Sequence, residues 1–600
     1  MSDQYQRIRN QVMWDRLIAV VEEQARTMMR VAFSTVVREA GDLSAGIFNS
    51  AGLLLAQAIT GTPGHINSMA RSVKHFLSEI PAETMHPGDV FITNDPWKGT
   101  GHLFDLTVVT PAFRGGKLVA LFACTAHVAD IGGNGPDPGS RDVFAEGLFI
   151  PIMPLCTRGE MNAVLMKLLK ANSREPDELE GDVYALVASN EAGANRLDRM
   201  MEEYRLSDLG ALSDYIIQAS DRSMHEAIRK LPKGSWTNSM RIDGYDVPVD
   251  LVASLTIDGE VIRIDYAGTS GVSRFGINCP LCYTDAYTSF GVKCIVAPRL
   301  PNNAAVLARM RVTAPENCIV NALSPSPVTA RSLIGQMLPD LVFGCFEQAM
   351  PGQVPAEGTG ASWSLRLGAG PGIAGNADGH STSFMSQNFQ SGGMGARPSL
   401  DGLSATPFPS GVKAIAIEIT EALTPLVVWK KELRKDSGGA GRWRGGLGQV
   451  MEIGSREGAP FAIFARFQRV DYPARGSCGG LDGAAGAVRL KSGARLKSRG
   501  TQVIPKGDRL VVEMPGGGGL GSPHERDPEL VADDLANGFI SKECAGDLYG
   551  VALHADLSVD VEGTAKLRGG AASRCAHQCV LAAPSATLRS TYGGGMSESN

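Results

Sequence analysis

The sequence lacks the features of membrane and secreted proteins. It contains no run of about 18 uncharged apolar residues, so we expect no membrane-spanning helix. The first segment, MSDQYQRIRNQVMWDR, is polar and charged and has no apolar signal core. The 11 cysteines are scattered and odd in number, which argues against a disulfide framework and favours a reducing compartment. These absences predict a cytoplasmic protein.

Charge and motif content also weaken two functional classes. The net charge is −6, whereas proteins that bind nucleic acid usually have a basic face. The sequence has neither the glycine-lysine ending of a Walker phosphate loop nor the G-x-S-x-G turn of a serine hydrolase. We therefore expect no nucleic-acid partner and no ATP site within this chain.

What is present is an ordinary globular composition with an excess of glycine. The 600 residues are 43% hydrophobic and 20% charged, which suffices for a core and suggests roughly three to five domains. The 71 glycines exceed the usual share and are concentrated late in the chain. Because β-branched residues alternate with them, we interpret them as tight turns between short strands.

The order of periodic segments predicts an α+β protein, a large multi-lobed body with mixed and antiparallel sheets, a helical lobe and a β-rich C-terminal region. Helical spacing at 5–32 and 65–79 flanks a hairpin signal at 42–58. The predicted units are an N-terminal domain holding the candidate metal site at 1–170, a helical lobe at 171–235, a middle α+β region at 236–412, a β-rich domain with a terminal helix at 413–556, and a poorly ordered tail at 557–600.

Two matched segments carry the candidate chemistry. His102-Leu-Phe-Asp105 and His127-Val-Ala-Asp130 share the same H-x-x-D spacing. Imidazole and carboxylate groups are common ligands of divalent metals. A hairpin that turns near 114–117 would bring the two segments together. Alternatively, the spacing is chance, or each aspartate only orients its histidine through a ring hydrogen bond.

Four other motifs are interpreted as structural. They are Cys279-Pro-Leu-Cys282, the Cys575/His577/Cys579 group, the glycine run 515–521, and the segment 438–446 with Arg442 and Arg444. The first lacks a second C-x-x-C, the second lies in the predicted tail, and the third lacks the Gly-Lys-Ser/Thr ending. The fourth could cradle an anion, but we interpret it as turns, and 515–521 as a tight connection to a terminal helix.

The chain resembles the hydantoinase B/oxoprolinase family over about residues 5–555. The resemblance rests on ordered motifs that include EAGDLSAGIFNSAGLLLAQA, PGHINSM, GHLFD, AHVADIGG, AEGLFIP, GGAGRWRGGLG, MPGGGGLGSP and ERDPELV. That family covers N-methylhydantoinase B-type chains, the corresponding half of 5-oxoprolinase, caprolactamase, and acetone and acetophenone carboxylases. One departure is His65-Ile-Asn-Ser-Met, where the family usually has H-L-G-x-M.

By position, the resemblance implies a single divalent metal, either Zn, Mn or Fe. The implied ligands are Asp42, His102, Asp105 and His127. Asp130 is then expected either outside the ligand set or as an acid/base catalyst. His65 and Glu146 lie in family motifs, but no role is assigned to them.

The resemblance also implies a division of labour. A hydantoinase A-type partner subunit would bind ATP and phosphorylate the substrate oxygen, and this chain would then open a cyclic amide such as a hydantoin, 5-oxoproline or another lactam. We expect a hetero-oligomer with that partner. Two alternatives stay open: a subunit of an ATP-dependent ketone carboxylase of the acetone or acetophenone type, and a non-catalytic scaffold for the ATPase subunit.

Overall fold

A computed structural model describes residues 3–59, 61–360, 362–370, 373 and 383–569. The chain divides into a large first unit that ends at Pro523 and a second unit that begins at His524. The first unit contains four sheets and most of the helices, which confirms the α+β class. Within these residues, no helix is both long and apolar enough to cross a membrane.

The described helices confirm the helical predictions near the N-terminus and in the predicted helical lobe. They are α1 (Asp3–Val31), α2 (Thr35–Arg38), α3 (Pro63–Glu79), α4 (Ala163–Asn172), α5 (Pro176–Tyr204), α6 (Gly210–Arg229), α7 (Leu281–Val296), α8 (Ala304–Ala308), α9 (Ser332–Gly335), α10 (Leu338–Ala349), α11 (Ile417–Leu423), α12 (Pro528–Ala536) and α13 (Lys542–Asp547).

The described strands confirm the hairpin at 42–58 and the β-rich character of the region after residue 413. They are β1 (Leu43–Phe48), β2 (Leu54–Gln57), β3 (Val90–Thr93), β4 (Asp105–Arg114), β5 (Lys117–His127), β6 (Met153–Thr157), β7 (Glu160–Met161), β8 (Gly234–Ile242), β9 (Val249–Ile257), β10 (Ile262–Asp265), β11 (Met310–Thr313), β12 (Trp363–Ala369), β13 (Phe384–Gln390), β14 (Leu426–Leu433), β15 (Gln449–Ser455), β16 (Phe461–Arg466), β17 (Ala487–Leu490), β18 (Arg499–Ile504), β19 (Leu510–Glu513), β20 (Ala552–Leu553) and β21 (Val559–Asp560).

The first sheet has seven strands in the order β2-β1-β5-β4-β3-β6-β7, and all neighbours are antiparallel. Helices α1 and α5 cover one face, and α3 covers the other. Because both faces are buried, β4 and β5 are apolar at most positions instead of alternating with polar residues. The candidate metal ligands lie at the ends of inner strands of this sheet and in the loop before β4.

The second sheet has the order β11-β10-β9-β8, with β10 and β11 parallel and the other pairs antiparallel. Residues of α7 and α10 share its core. Helix α3 also packs against α7. The two helices therefore connect the first sheet to the second, and the loop that leads into α9 reaches the metal-site region from this side.

The third and fourth sheets form a sandwich. Their orders are β13-β12-β16-β18 and β14-β15-β19-β17. One apolar core joins Trp363, Leu365 and Leu367 of β12 to residues of β15, β16, β17 and β19. Alternate residues of β12 point to opposite faces, so Ser364 and Arg366 lie on the face away from this core.

Glycine has a different use in this region from the one predicted. Residues 515–519 run among three other segments, 392–396, 437–446 and 474–484. Backbone hydrogen bonds join them, for example from Gly439 N to Gly517 O at 2.8 Å. Residues 515–521 do connect β19 to the terminal helices, as predicted, but 438–446 pairs with this segment through backbone hydrogen bonds and does not form only local turns. The glycines allow four backbones to pack against one another, a long-range contact that local turn patterns do not reveal.

The spacing in this glycine layer excludes any side chain. A Cβ added at Gly516 would lie 1.7 Å from the carbonyl oxygen of Ser437, and one at Gly445 would lie 1.9 Å from that of Gly517. Real Cβ atoms do not approach backbone atoms so closely, and here the obstacle is main chain that cannot rotate away.

The second unit contains α12, α13 and the β20–β21 hairpin, followed by helical residues 561–569. Arg526 forms a buried ion pair with Asp534, 2.7 Å apart, and its backbone carbonyl accepts a hydrogen bond from Arg568. Of the tail predicted at 557–600, the described part is 557–569. Residues 570–600, including the Cys575/His577/Cys579 group, lie outside the described residues.

The glycine layer generates a stability prediction. Substituting Gly516→Ala should lower the free energy of unfolding by about 3 kcal/mol or prevent folding, because the new methyl group overlaps a backbone carbonyl. Thermal or urea unfolding of the purified chain measures the effect. The matched control is Gly271→Ala, where an added Cβ meets nothing within 4 Å. Equal unfolding midpoints for the two variants would show that the layer tolerates a side chain.

Candidate metal centre

The β4–β5 hairpin brings the two H-x-x-D segments together. Strand β4 begins at Asp105, β5 ends at His127, and these two residues are directly paired in the ladder. His127 Nδ1 lies 3.0 Å from Asp105 Oδ1. The predicted hairpin with its turn at Arg114–Lys117 is thus confirmed.

His102 approaches the same carboxylate from the loop before β4. Its Nε2 lies 2.7 Å from Asp105 Oδ1, and its ring stacks against that of His127 with centroids 5.1 Å apart. Gly101, the residue before it, has a φ of +99°, and a Cβ there would lie 2.7 Å from the Arg331 side chain. Glycine at this position therefore serves both the backbone turn and the close approach of an arginine.

Asp42 reaches the centre through backbone pairing. It immediately precedes β1, which pairs with β5, and its carbonyl accepts a hydrogen bond from His127 N at 3.1 Å. Thr62 Oγ1 donates to the Asp42 carboxylate at 3.0 Å. Ligand atoms of His102, Asp105 and His127 all lie within 4.8 Å of one another. Asp42 stands beside this trio.

His65 bridges Asp42 and the trio, although its sequence motif predicted no role for it. It lies in the first turn of α3, which begins at Pro63, a residue suited to the first helical position. His65 Nε2 is 3.0 Å from Asp105 Oδ2, and its Nδ1 is 3.6 Å from Asp42 Oδ1. Burial alone would lower the pKa of His65, but the two carboxylates outweigh it and raise the pKa.

Arg331 is a further member of the centre that the sequence did not predict. Its guanidinium contacts Asp105 Oδ2, donates to the carbonyl of Thr100 at 2.8 Å, and stacks over the Tyr283 ring at 4.0 Å. Burial alone would raise the pKa of Asp105, but two histidines and this arginine hold it well below its usual range. Asp105 is therefore a buried, ionised carboxylate with several cationic or donor neighbours.

The hydrogen-bonding of His102 tests whether a metal fits. Its Nδ1 lies 2.9 Å from the carbonyl oxygen of Thr329, and its Nε2 faces the ionised Asp105. Both neighbours are acceptors, whereas a neutral imidazole has a single N–H. Burial, together with Arg331, lowers the pKa of His102 to about 3, which disfavours a second ring proton. A cation shared by Nε2 and the carboxylate resolves this conflict, so the donor set fits a divalent metal.

Glu146 supports the loop that orients His102. Its Oε1 accepts hydrogen bonds from the backbone N–H groups of Val328 and Thr329, at 2.8 and 2.9 Å. The carbonyl of the same Thr329 faces His102 Nδ1. Burial raises the pKa of Glu146 to about 8, although the two backbone donors oppose this shift. By fixing this loop, Glu146 helps to determine which ring nitrogen of His102 carries its proton.

Asp130 is not brought into the trio. Arg174 donates to Asp130 Oδ1 from its guanidinium at 2.6 Å and to Oδ2 from its backbone N–H at 2.5 Å. These contacts anchor the loop after β5 to the start of α5. They favour the supporting role for Asp130 over the acid/base role.

The C-x-x-C pair also has structural contacts. Cys279 Sγ donates to Arg331 O and Cys282 Sγ donates to Pro96 O, and both thiols are free. Burial raises the pKa of each thiol, so neither is a ready thiolate.

Four of the acidic and histidine side chains open onto one cavity. They are Asp42, His65, His102 and His127. A second wall comes from the third sheet and includes Ser364, Gln387 and Arg466. The cavity thus combines a metal-ligand wall with a polar, cationic wall.

Comparison with known proteins finds relatives over most of the chain. The sequence model of the family described as hydantoinase B/oxoprolinase matches residues 6–523. The B-type chain of a putative D-/L-hydantoinase from Pseudomonas sp. (strain NS671) is 29% identical, with 93% of this chain and 97% of that protein covered. 5-Oxoprolinase 1 of Arabidopsis thaliana is 28% identical over 84% of this chain, which corresponds to 41% of the plant protein.

Two solved structures share the fold. An ATP-dependent caprolactamase from Pseudomonas jessenii has a TM-score of 0.82 at 23% identity, with 94% of this chain and 99% of that chain covered. The nucleotide-free structure of acetone carboxylase has a TM-score of 0.81 at 20% identity, covering 96% and 84%. With the family match spanning most of its length, the chain belongs to the hydantoinase B/oxoprolinase family.

Proposed function

We propose that this chain is the metal-dependent B-type subunit of an ATP-dependent cyclic amidase. The observation that carries the proposal is the convergence of His102, Asp105 and His127 within 4.8 Å, with both histidines lining the cavity. Asp42 completes a set of two imidazoles and two carboxylates, which suits Zn, Mn or Fe. The relatives named as hydantoinase and 5-oxoprolinase support the reaction class.

The substrate is a hydantoin, 5-oxoproline or another lactam whose amide oxygen has been phosphorylated by a hydantoinase A-type partner. An amide carbonyl is a poor electrophile, and phosphorylation turns its oxygen into a leaving group. The chain has no Walker motif, so ATP belongs to the partner in a hetero-oligomer. Water then attacks the activated ring carbon, and the C–N bond breaks as the nitrogen leaves as an amine. A second water hydrolyses the resulting acyl phosphate to a carboxylate and phosphate.

The residues around the cluster have distinct tasks in this reaction. A bound divalent ion would polarise the substrate oxygen and make water a stronger nucleophile near neutral pH. Arg331 and Thr100 fix the Asp105 carboxylate, and Thr62 fixes that of Asp42. His65 lines the cavity between these carboxylates and is positioned to supply a proton to the departing ring nitrogen.

A ketone carboxylase is the second candidate, because the acetone carboxylase structure shares the fold over 96% of this chain. In that reaction the same cluster would stabilise an enolate oxygen while carbon dioxide or bicarbonate is positioned. The scaffold alternative differs from both, since it requires no metal.

The metal content of the purified chain tests the cluster. The wild-type chain should retain about one divalent ion, and His127→Ala should lower metal affinity at least tenfold, because a direct ligand is lost. Elemental analysis after dialysis gives the measurement. His86→Ala is the control, since His86 is half exposed and lies outside the cavity. Equal metal content in the wild type and His127→Ala would refute the site, and no metal in either would favour the scaffold.

Turnover with the partner tests the reaction. The complex with an A-type subunit should release phosphate from ATP and form ring-opened product only when a suitable cyclic amide is present. In the His127→Ala complex, product formation should fall by about 100-fold or more, because the ligand set is broken. The assay measures phosphate and the new amine across a panel of hydantoins and lactams. Bicarbonate-dependent turnover with acetone or acetophenone, and none with the panel, would replace the amidase with the carboxylase.

Substitutions of Glu146 test the support of His102. Glu146→Gln keeps an oxygen that accepts from Val328 and Thr329, so metal affinity should stay near that of the wild type. Glu146→Ala leaves both N–H groups unpaired and frees the Thr329 carbonyl, so metal affinity should fall by roughly 10- to 100-fold. Competition with a chelator measures the affinities. Identical metal affinities in the two variants would show that Glu146 does not support the metal site.

A further inference from the structure

One face of the third sheet presents polar side chains to the cavity. On β12, the residues that point away from the sandwich core include Ser364 and Arg366, and Ser364 lines the cavity. Gln387 of β13 is paired with Arg366 in the ladder and also lines the cavity. This sheet therefore buries its apolar residues on one side and offers hydrogen-bonding groups to a ligand on the other.

Arg466 adds a positive charge to this wall. It is the last residue of β16, lines the cavity, and donates from Nη1 to the carbonyl of Pro136 at 3.1 Å. Arg366 lies next to it and stacks over the Phe464 ring at 5.2 Å. Across the described ranges, neither guanidinium has a carboxylate within ion-pair distance.

Arg366 also affects the charge of Arg466. Burial and the neighbouring Arg366 lower the pKa of Arg466 to about 10. Asp137 favours the charged form of both arginines and Asp130 that of Arg366, but these carboxylates act from beyond ion-pair distance. The wall thus keeps positive charge that a bound anion would compensate.

Two hydroxyl groups in the same cavity have no partner among the described residues. Ser364 Oγ and Thr329 Oγ1 are buried, line the cavity, and make no hydrogen bond within that part of the chain. A buried hydroxyl without a partner is costly, and a ligand oxygen would satisfy it. The carbonyl of Thr329 also faces His102, so one of these hydroxyls belongs to a residue that contacts a candidate metal ligand.

We propose that Arg466 and Ser364 form a subsite that binds the phosphoryl group of an O-phosphorylated substrate in the cavity of the metal cluster. The subsite rests on the proposed function, in which a phosphorylated cyclic amide must enter this cavity. A phosphoryl group carries up to two negative charges and three terminal oxygens, which suits a guanidinium together with a hydroxyl donor. A substrate carboxylate has the same kind of oxygen but a smaller charge and two oxygens.

Binding of inorganic phosphate to the full chain tests the subsite by calorimetry. Arg466→Met should weaken phosphate binding by about 10- to 100-fold, because a charged hydrogen bond is lost. Ser364→Ala should weaken it less, and Arg466→Lys should give an intermediate loss since it keeps the charge without the planar fork. Arg241→Met, which removes an exposed arginine outside the cavity, should bind like the wild type. Metal content is measured in each sample, because phosphate can also bind a metal.

Two outcomes would overturn the subsite. One is equal phosphate affinity for the wild type, Arg466→Lys and Ser364→Ala at equal metal content, a result that holds even where Arg466→Met fails to fold. The other is acetate binding that depends on Arg466 as strongly as phosphate binding does, which would assign the wall to a substrate carboxylate. Arg466-dependent phosphate binding in a chain whose complex opens no cyclic amide would support the subsite while the proposed function fails. Opening of cyclic amides by a complex whose phosphate binding does not depend on Arg466 would support the proposed function and overturn the subsite.

Discussion

Asp105 and His127 are opposite each other in the β4–β5 ladder, and this backbone register sets the geometry of the whole centre. A slip of one residue would turn both side chains to the opposite face of the sheet. The register is secured because helices cover both faces of these strands and leave no solvated side. Strand β1, on the other side of β5, then places Asp42 beside His127 through backbone hydrogen bonds.

A fully buried carboxylate at this point creates a charge requirement. Asp105 cannot be left ionised in the interior without compensation, and the structure surrounds it with His65, His102, His127 and Arg331. Arg331 and the Thr329 carbonyl come from the loop that leads into α9, and this loop contacts His102 and Asp105 at the end of the first sheet. The loop itself is held by Glu146, so the position of the metal ligands depends on packing between separate layers of the first unit.

The local parts of this arrangement could be predicted from the sequence, and the long-range parts could not. The two H-x-x-D segments and the turn between them indicated the hairpin, because all three lie within one stretch of about 30 residues. Arg331, Thr329 and Arg466 have ordinary local surroundings in the sequence, and only tertiary packing brings them to the cavity. The backbone packing of the glycine layer was not predicted, for the same reason. Turn residues and close-packed backbones both call for glycine, and only the contacts of Gly516 and Gly445 separate the two uses.

The cavity divides chemistry and recognition between two structural layers. The candidate metal ligands belong to the first sheet and its adjoining loops, whereas Ser364, Gln387 and Arg466 belong to the third sheet of the sandwich. Because no strand is shared, a substitution on the sandwich wall changes the charge and shape presented to a ligand without altering the β4–β5 register. The glycine layer continues from the ends of β13 and β19 and joins them by backbone hydrogen bonds, so it fixes the sandwich through main-chain contacts. A rigid wall of this kind can hold an anionic group at a constant distance from the cluster, which is the positioning that an activated substrate requires.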